Sequence, residues 1–179
     1  MVVGPRAGRF IMAGHSPDLE AHGAPEDSPR APGSATIEIA NPGRLLGDQP
    51  LMWLKDKSRQ ALGQVKHRGG EVRVRLVGDA EMAQDHKRFS GVEGTTDVLT
   101  FDLSEGATAK GGPLDADILI CVDEARRHAS AHTPPHPVEH EILLYILHGV
   151  LHCLGHDHET DGGSMERLER KLRRRWLDA

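Results

Sequence analysis

The chain has 179 residues, 37% of them apolar and only 3% aromatic, with a formal net charge of −5. That length holds one domain with a hydrophobic core and not two of ordinary size. The scarcity of aromatics excludes an extensive base-stacking platform, and the negative total excludes a protein that coats nucleic acid through bulk charge, though a local basic groove can coexist with it.

No apolar run approaches the roughly 20 residues that span a bilayer. The two cysteines, Cys121 and Cys153, form neither a Cys-x-x-Cys pair nor a disulfide framework. A soluble protein of the reducing cytoplasm, with no membrane partner, is the expectation. Residues 1–34 are rich in Gly, Pro, Ala and Ser and lack apolar periodicity, so they are expected to form a disordered extension. The short apolar cluster from Phe10 to Ala13 within it is too small for a signal segment. Residues 35–179 are read as a single domain.

Alternation over 35–40 (ATIEIA) predicts a strand, closed by the turn Asn41-Pro42-Gly43. A helix is predicted over 51–65, with Leu51, Trp53, Leu54, Ala61, Leu62 and Val65 available for a buried stripe. After Gly69 and Gly70 a second alternating strand covers 72–77 (VRVRLV), and a short helix covers 80–89 behind Asp79. Two β-branched and apolar runs, 97–102 (DVLTFD) and 117–122 (DILICV), predict a third and fourth strand across a Gly- and Pro-bearing loop. Helical periodicity then dominates: 124–131, 138–154 after a break at Pro134, Pro135 and Pro137, and 163–177. The fold class is therefore α+β, with mixed α/β layers: a small four-stranded mixed sheet and about five helices packed on it.

Chemistry concentrates in the string HGVLHCLGHDH at 148–158. His148 and His152 are four apart on an apolar helix, so their side chains share one face and reach a common ion. Gly155 is a good left-handed helix terminator, which lets the chain turn back and bring His158 to the same point. Three imidazoles leave a fourth tetrahedral position for water, the pattern of a catalytic zinc. The chain has twelve histidines. His128, His132, His136 and His140 also recur every four residues, but the prolines break any continuous helix through them, so these four are expected to be solvated or to sit behind the ligands.

The spacing H-x-x-x-H-x-x-G-x-x-H also matches that of metzincin peptidases. A peptidase of that type needs a glutamate directly after the first histidine to take a proton from the zinc-bound water, and here that residue is Gly149. The ligand spacing survives and the peptidase base is missing, which leaves a metallopeptidase as the weakest of the readings.

The string HGVLHCLGHDH resembles the H-G-x-L-H-x-x-G-Y-D-H signature of the YbeY family of bacterial rRNA maturation factors, and TDVLTF at 96–101 and ADILIC at 116–121 resemble two of that family's strand segments. The likeness runs over about residues 35–177. It implies a zinc-dependent single-strand endoribonuclease acting in rRNA maturation at the 16S rRNA 3′ end and in ribosome quality control. By the same resemblance His148, His152 and His158 hold one Zn2+ per chain, His148 and Arg75 belong to the catalytic centre, and the partners are single-stranded RNA or rRNA, the small ribosomal subunit and associated maturation proteins; DNA is not expected. A guanidinium at Arg75 would offer forked donors to phosphate oxygens.

The chain departs from the family pattern at His156, where tyrosine is common, and at Ala116 and Asp102, which replace a glycine and a proline. His156 is expected to point away from the metal, and Asp157 either orients a ligand imidazole or caps the turn. The attacking group stays open between zinc-activated water and the RNA 2′-OH, and no general base is assigned. An assembly or docking factor with a structural zinc and little nuclease activity is the alternative from a different class. Substrate grip could come from Arg73, Arg75, Lys87 and Arg88, or from Arg167, Arg170, Lys171, Arg173, Arg174 and Arg175, although arginines in a final helix are ordinarily just solvated.

Overall fold

In the computed structural model the described residues are 10–13, 35–65, 69–104, 108, 111–156 and the single positions 167, 170, 171 and 174. Among them, the strands are β1 (Phe10–Ala13), β2 (Ala35–Ala40), β3 (Gly70–Val77), β4 (Val98–Asp102) and β5 (Leu114–Cys121), joined in one sheet in the order β1-β4-β5-β3-β2. β2, β3 and β5 run parallel, β4 is antiparallel to β5, and β1 is parallel to β4. The four strands expected from alternation and apolar runs are thus present as a mixed sheet. The fifth, β1, comes from the stretch expected to be disordered: Phe10–Ala13 pairs along the free edge of β4, in register Phe10↔Leu99 to Ala13↔Asp102. Such a partner is invisible to a local pattern because the edge that receives it lies far along the chain.

The helices are α1 (Asp48–Leu62), α2 (Asp79–Ser90), α3 (Val122–Ala131) and α4 (Val138–Cys153). α1 begins three residues before the expected start because Asp48 and Pro50 suit a first helical turn, where a carboxylate meets the positive helix end and the missing proline N–H is not needed. It stops at Leu62, with the Gly63 N–H bonded to the Arg59 carbonyl. The helix expected over 163–177 falls largely outside the described residues; Arg167, Arg170, Lys171 and Arg174 are described as helical and exposed. No helix among the described residues is long and apolar enough to cross a membrane.

Two apolar clusters flank the sheet. On one face Val72, Val74, Leu76, Ile118 and Ile120 meet Leu54 and Leu62 of α1, Ala125 of α3 and a long stretch of α4. On the other Val77, Leu99, Phe101, Leu119 and Cys121 meet Met82 and Phe89 of α2. β5 is buried on both faces, which is why it reads in the sequence as a continuous apolar run rather than an alternation. The chain therefore forms helix, sheet and helix layers, with α4 the most deeply buried helix: Ile142 through Leu147 and His148 through Leu151 include ten positions of which only Leu144 is more than slightly exposed.

The contact that sets the height of α4 is at Gly149. A Cβ there would stand 2.6 Å from Thr100 Oγ1 and 3.1 Å from Ile118 Cδ1. Thr100 and Ile118 are register partners across β4 and β5, so the helix backbone rests directly on the sheet at this point. In an ordinary helix, replacing glycine by alanine is favourable by about 1 kcal/mol. Here the sign reverses: Gly149→Ala is expected to destabilise by about 1–3 kcal/mol through overpacking, read as a fall in thermal midpoint, and adding Thr100→Ala is expected to recover much of the loss. A Gly149→Ala protein as stable as the parent would show that the helix does not rest on the sheet here.

Candidate metal centre

The i, i+4 spacing of His148 and His152 does what helical geometry requires. Their Nε2 atoms lie 2.8 Å apart, with the rings nearly perpendicular at 81° and their centroids 4.4 Å apart. His148 is 1% exposed, held between the helix and the sheet, and His152, one turn on, is half-buried. Two tetrahedral zinc ligands at about 2.05 Å stand ~3.3 Å apart, so small rotations of the rings open the pair to admit an ion. Two neutral imidazoles aimed at one point from a rigid helix are a donor set suited to zinc, and the described part of the site fits that metal.

Helix α4 ends as the sequence foretold. Gly155 has φ 86°, its N–H bonds to the His152 carbonyl, and the His156 N–H reaches back to the Leu151 carbonyl. This is the Schellman arrangement, in which the left-handed residue satisfies the last carbonyls and reverses the chain. His158 and Asp157 lie outside the described residues, so the third expected ligand is not placed. Cys153, beside His152, is buried in the core, and burial pushes its thiol up to about 12, which keeps it a neutral core group at physiological pH. Position 149, where the peptidase glutamate would stand, is also tight: a Cβ there would meet Thr100 Oγ1 at 2.6 Å, so a larger side chain requires the neighbours to shift.

A second group of side chains able to hold a metal forms among the histidines expected to be solvated or to sit behind the ligands. His136 Nε2 lies 2.8 Å and His132 Nε2 3.7 Å from Glu141 Oε2, and His128 Nδ1 stands 4.0 Å from Glu141 Oε1. One ligand atom from each of His132, His136 and Glu141 falls within 4.8 Å of the others. The prolines do end the helix, as expected, but the turn they make lays His132 and His136 across the first turn of α4. His140 leaves this group and stacks on Trp53, with centroids 4.7 Å apart. The signal that was available in the sequence was Glu141 itself, an acid inside an apolar helix that has to find a cationic or metal partner.

Arg75 is placed away from the histidine pair. Residues paired across adjacent strands share a face, and Arg75 sits beside Leu119, which sits beside Leu99. Both leucines belong to the cluster under α2, whereas Thr100 and Ile118 face α4. The structure therefore brings His148 and His152 together and sets Arg75 on the opposite face of the sheet, with Nη2 2.7 Å from Glu81 Oε1 and Asp85 close by. Its Nε has no hydrogen-bond partner among the described residues. Arg73, two residues earlier on the same face, is fully committed: it meets Asp117 at 2.6 Å, Asp115 at 2.8 Å and Glu71 at 3.0 Å. Lys87 pairs with Glu93, and Arg88 lies over the Phe89 ring. Arg167, Arg170, Lys171 and Arg174 line one pocket.

Residues 51–176 match the family described as Endoribonuclease YbeY. The chain is 42% identical over 98 residues to an endoribonuclease YbeY of Solibacter usitatus, an alignment covering 55% of this chain and 60% of that protein. It is 36% identical to the one of Koribacter versatilis, over 72% of this chain and 76% of the relative, and 32% identical to the one of Nocardia farcinica, over 80% and 82%. The fold is similar to a solution structure of a Thermotoga maritima protein, with a TM-score of 0.57 and 27% identity over 80% of this chain and 90% of that one.

Replacing His152 by Ala is expected to remove one equivalent of bound zinc, measured by mass spectrometry on protein purified alongside the parent. A variant with a native circular dichroism spectrum and unchanged zinc content would show that the paired imidazoles hold no metal.

Proposed function

The chain belongs to the endoribonuclease YbeY family, and on that premise we propose that it cleaves single-stranded RNA hydrolytically during rRNA maturation, using one zinc ion held by His148, His152 and His158. The observation that carries this reading is the convergence of two imidazole nitrogens at 2.8 Å on the buried end of α4, next to the tight position where Gly149 stands in place of a peptidase glutamate. A zinc ion in such a site supplies Lewis acidity towards a phosphate and activates water as a nucleophile near neutral pH.

The protein's own residues do the positioning. His148 and His152 are fixed by a helix seated on the sheet through Gly149, so the ligand directions are set before substrate arrives. Neutral imidazoles leave the ion's charge intact, which favours a phosphodiester over an uncharged substrate. His148 is in this sense both ligand and part of the catalytic centre.

Arg75 enters the proposal as a grip on the RNA backbone. Its pair with half-exposed Glu81 is worth little, as exposed ion pairs are, and a phosphate can displace it. The cationic pocket of Arg167, Arg170, Lys171 and Arg174 offers a second such surface. The proposed setting is the cytoplasm, with the small ribosomal subunit and its maturation proteins as partners.

Cleavage of a labelled single-stranded RNA by the zinc-loaded protein tests the reading. Products with 5′-phosphate and 3′-OH ends are expected; 2′,3′-cyclic phosphate ends would overturn hydrolysis by water. His152→Ala is expected to abolish cleavage while leaving the fold and ribosome association intact, and loss of folding together with binding would assign the metal a structural role instead. Arg75→Ala is expected to raise KM several-fold with kcat little changed, because an interaction made equally with bound substrate and transition state appears in KM alone. A fall in kcat at constant KM would place the guanidinium at the reacting phosphate.

A further inference from the structure

Glu141 is 2% exposed, and among the described residues its ion-pair partners are imidazoles and no lysine or arginine. A buried carboxylate requires a compensating positive charge. The His132 and His136 rings lie beside it, tilted by 34° with centroids 4.2 Å apart, and His140 follows at 6.2 Å from His136.

We propose that His132, His136 and Glu141 form a second divalent metal site, of the zinc class, separate from the His148 and His152 pair. One divalent ion satisfies both imidazole nitrogens and the carboxylate at once. Two imidazoles and one carboxylate are an established donor set for zinc. The present separations, 2.8 and 3.7 Å from Glu141 Oε2 to the two nitrogens, bracket the spacing of ligands around a tetrahedral ion. Access is also provided: the His132 and His136 side chains are 36% and 21% exposed, so an ion enters from solvent and water completes its shell.

The surroundings are arranged for it. Tyr145, one turn below Glu141 on the same face of α4, bonds through its hydroxyl to His128 Nδ1 at 2.6 Å, and His128 in turn faces the other carboxylate oxygen. One oxygen of Glu141 is thus left to the ion while the other is bordered by a ring held in place. Glu141 and His148 are seven residues apart, two helical turns or about 10 Å along the axis, too far for one ion to serve both sets. The second ion ties the proline-rich connection between α3 and α4 to the first turn of the helix whose last turn carries His148 and His152. Its role is that of a clamp.

The test is calorimetric titration of Zn2+ into the full chain after removal of metal by chelator, comparing the parent, the double variant His132→Ala/His136→Ala, Glu141→Gln, and His152→Ala. The double variant is expected to bind one equivalent less than the parent, Glu141→Gln to bind that equivalent at least tenfold more weakly, and His152→Ala to retain it. Zinc is also expected to raise the thermal midpoint of His152→Ala but to lose that part of its effect in the double variant. Equal stoichiometry and affinity in the parent and the double variant would overturn the proposal, as would a Glu141→Gln protein that binds like the parent. Because the two histidine pairs are altered separately, failure of this site and failure of the His148 site give different titrations.

Discussion

Helix α4 lies against the sheet at backbone distance, and most of what is particular to this molecule depends on that closeness. At Gly149 the helix has no side chain to hold it away from Thr100 and Ile118. The apolar residues on either side, Ile142, Leu143, Ile146, Leu147, Val150 and Leu151, therefore reach fully into the core. The same approach drags polar groups into the interior with them. Glu141, Tyr145, His148 and His152 follow one another at spacings of four, three and four, a single stripe along the helix. A helix standing farther off would leave these groups in water.

The polar groups of that stripe face partners of their own. Glu141 is ringed by imidazoles, Tyr145 bonds His128, and His148 meets His152. The opposite face of the sheet solves the same problem with permanent charges. Arg73 binds Asp117, which is 3% exposed, together with Asp115. Near the strand ends Arg127 holds Asp79 through two parallel bonds at 2.7 and 2.9 Å and reaches Glu124 as well, tying the start of α2 to α3. One face thus uses guanidinium partners that cannot lose their charge, and the other uses imidazoles. That division matches the division of labour proposed for the molecule: scaffold and substrate grip on the α2 side, metal chemistry on the α4 side.

The position of Arg75 follows from strand alternation alone once the register is known. Val74 and Leu76 point to α4, so Arg75 points to α2. Its placement on the face opposite the histidine pair is a property of the sheet register.

Much of this was legible in the amino-acid sequence, for reasons that can be stated residue by residue. The strands at 35–40 and 72–77 announced themselves because each buries one face and exposes the other, and β5 did so as an unbroken apolar run because it buries both. His148 and His152 were certain to meet once they shared a helix, since the i, i+4 relation is fixed by helical geometry whatever the helix packs on. Gly155 was a sound terminator for the same reason: only local backbone preference is involved. What local pattern could not decide was everything that depends on where distant segments come to rest. β1 pairs with an edge more than eighty residues away, Arg73 and Arg75 look alike until Asp117 and Glu81 are set beside them, and His132 and His136 reach Glu141 only because a proline-rich turn, which follows no periodicity, folds back over α4. The sequence by itself determined four of the five described strands and the helix that carries the histidine pair, because those follow from short-range geometry; the tertiary structure alone decided which edge strand joins the sheet and which charges meet, because that depends on packing between segments far apart in the chain.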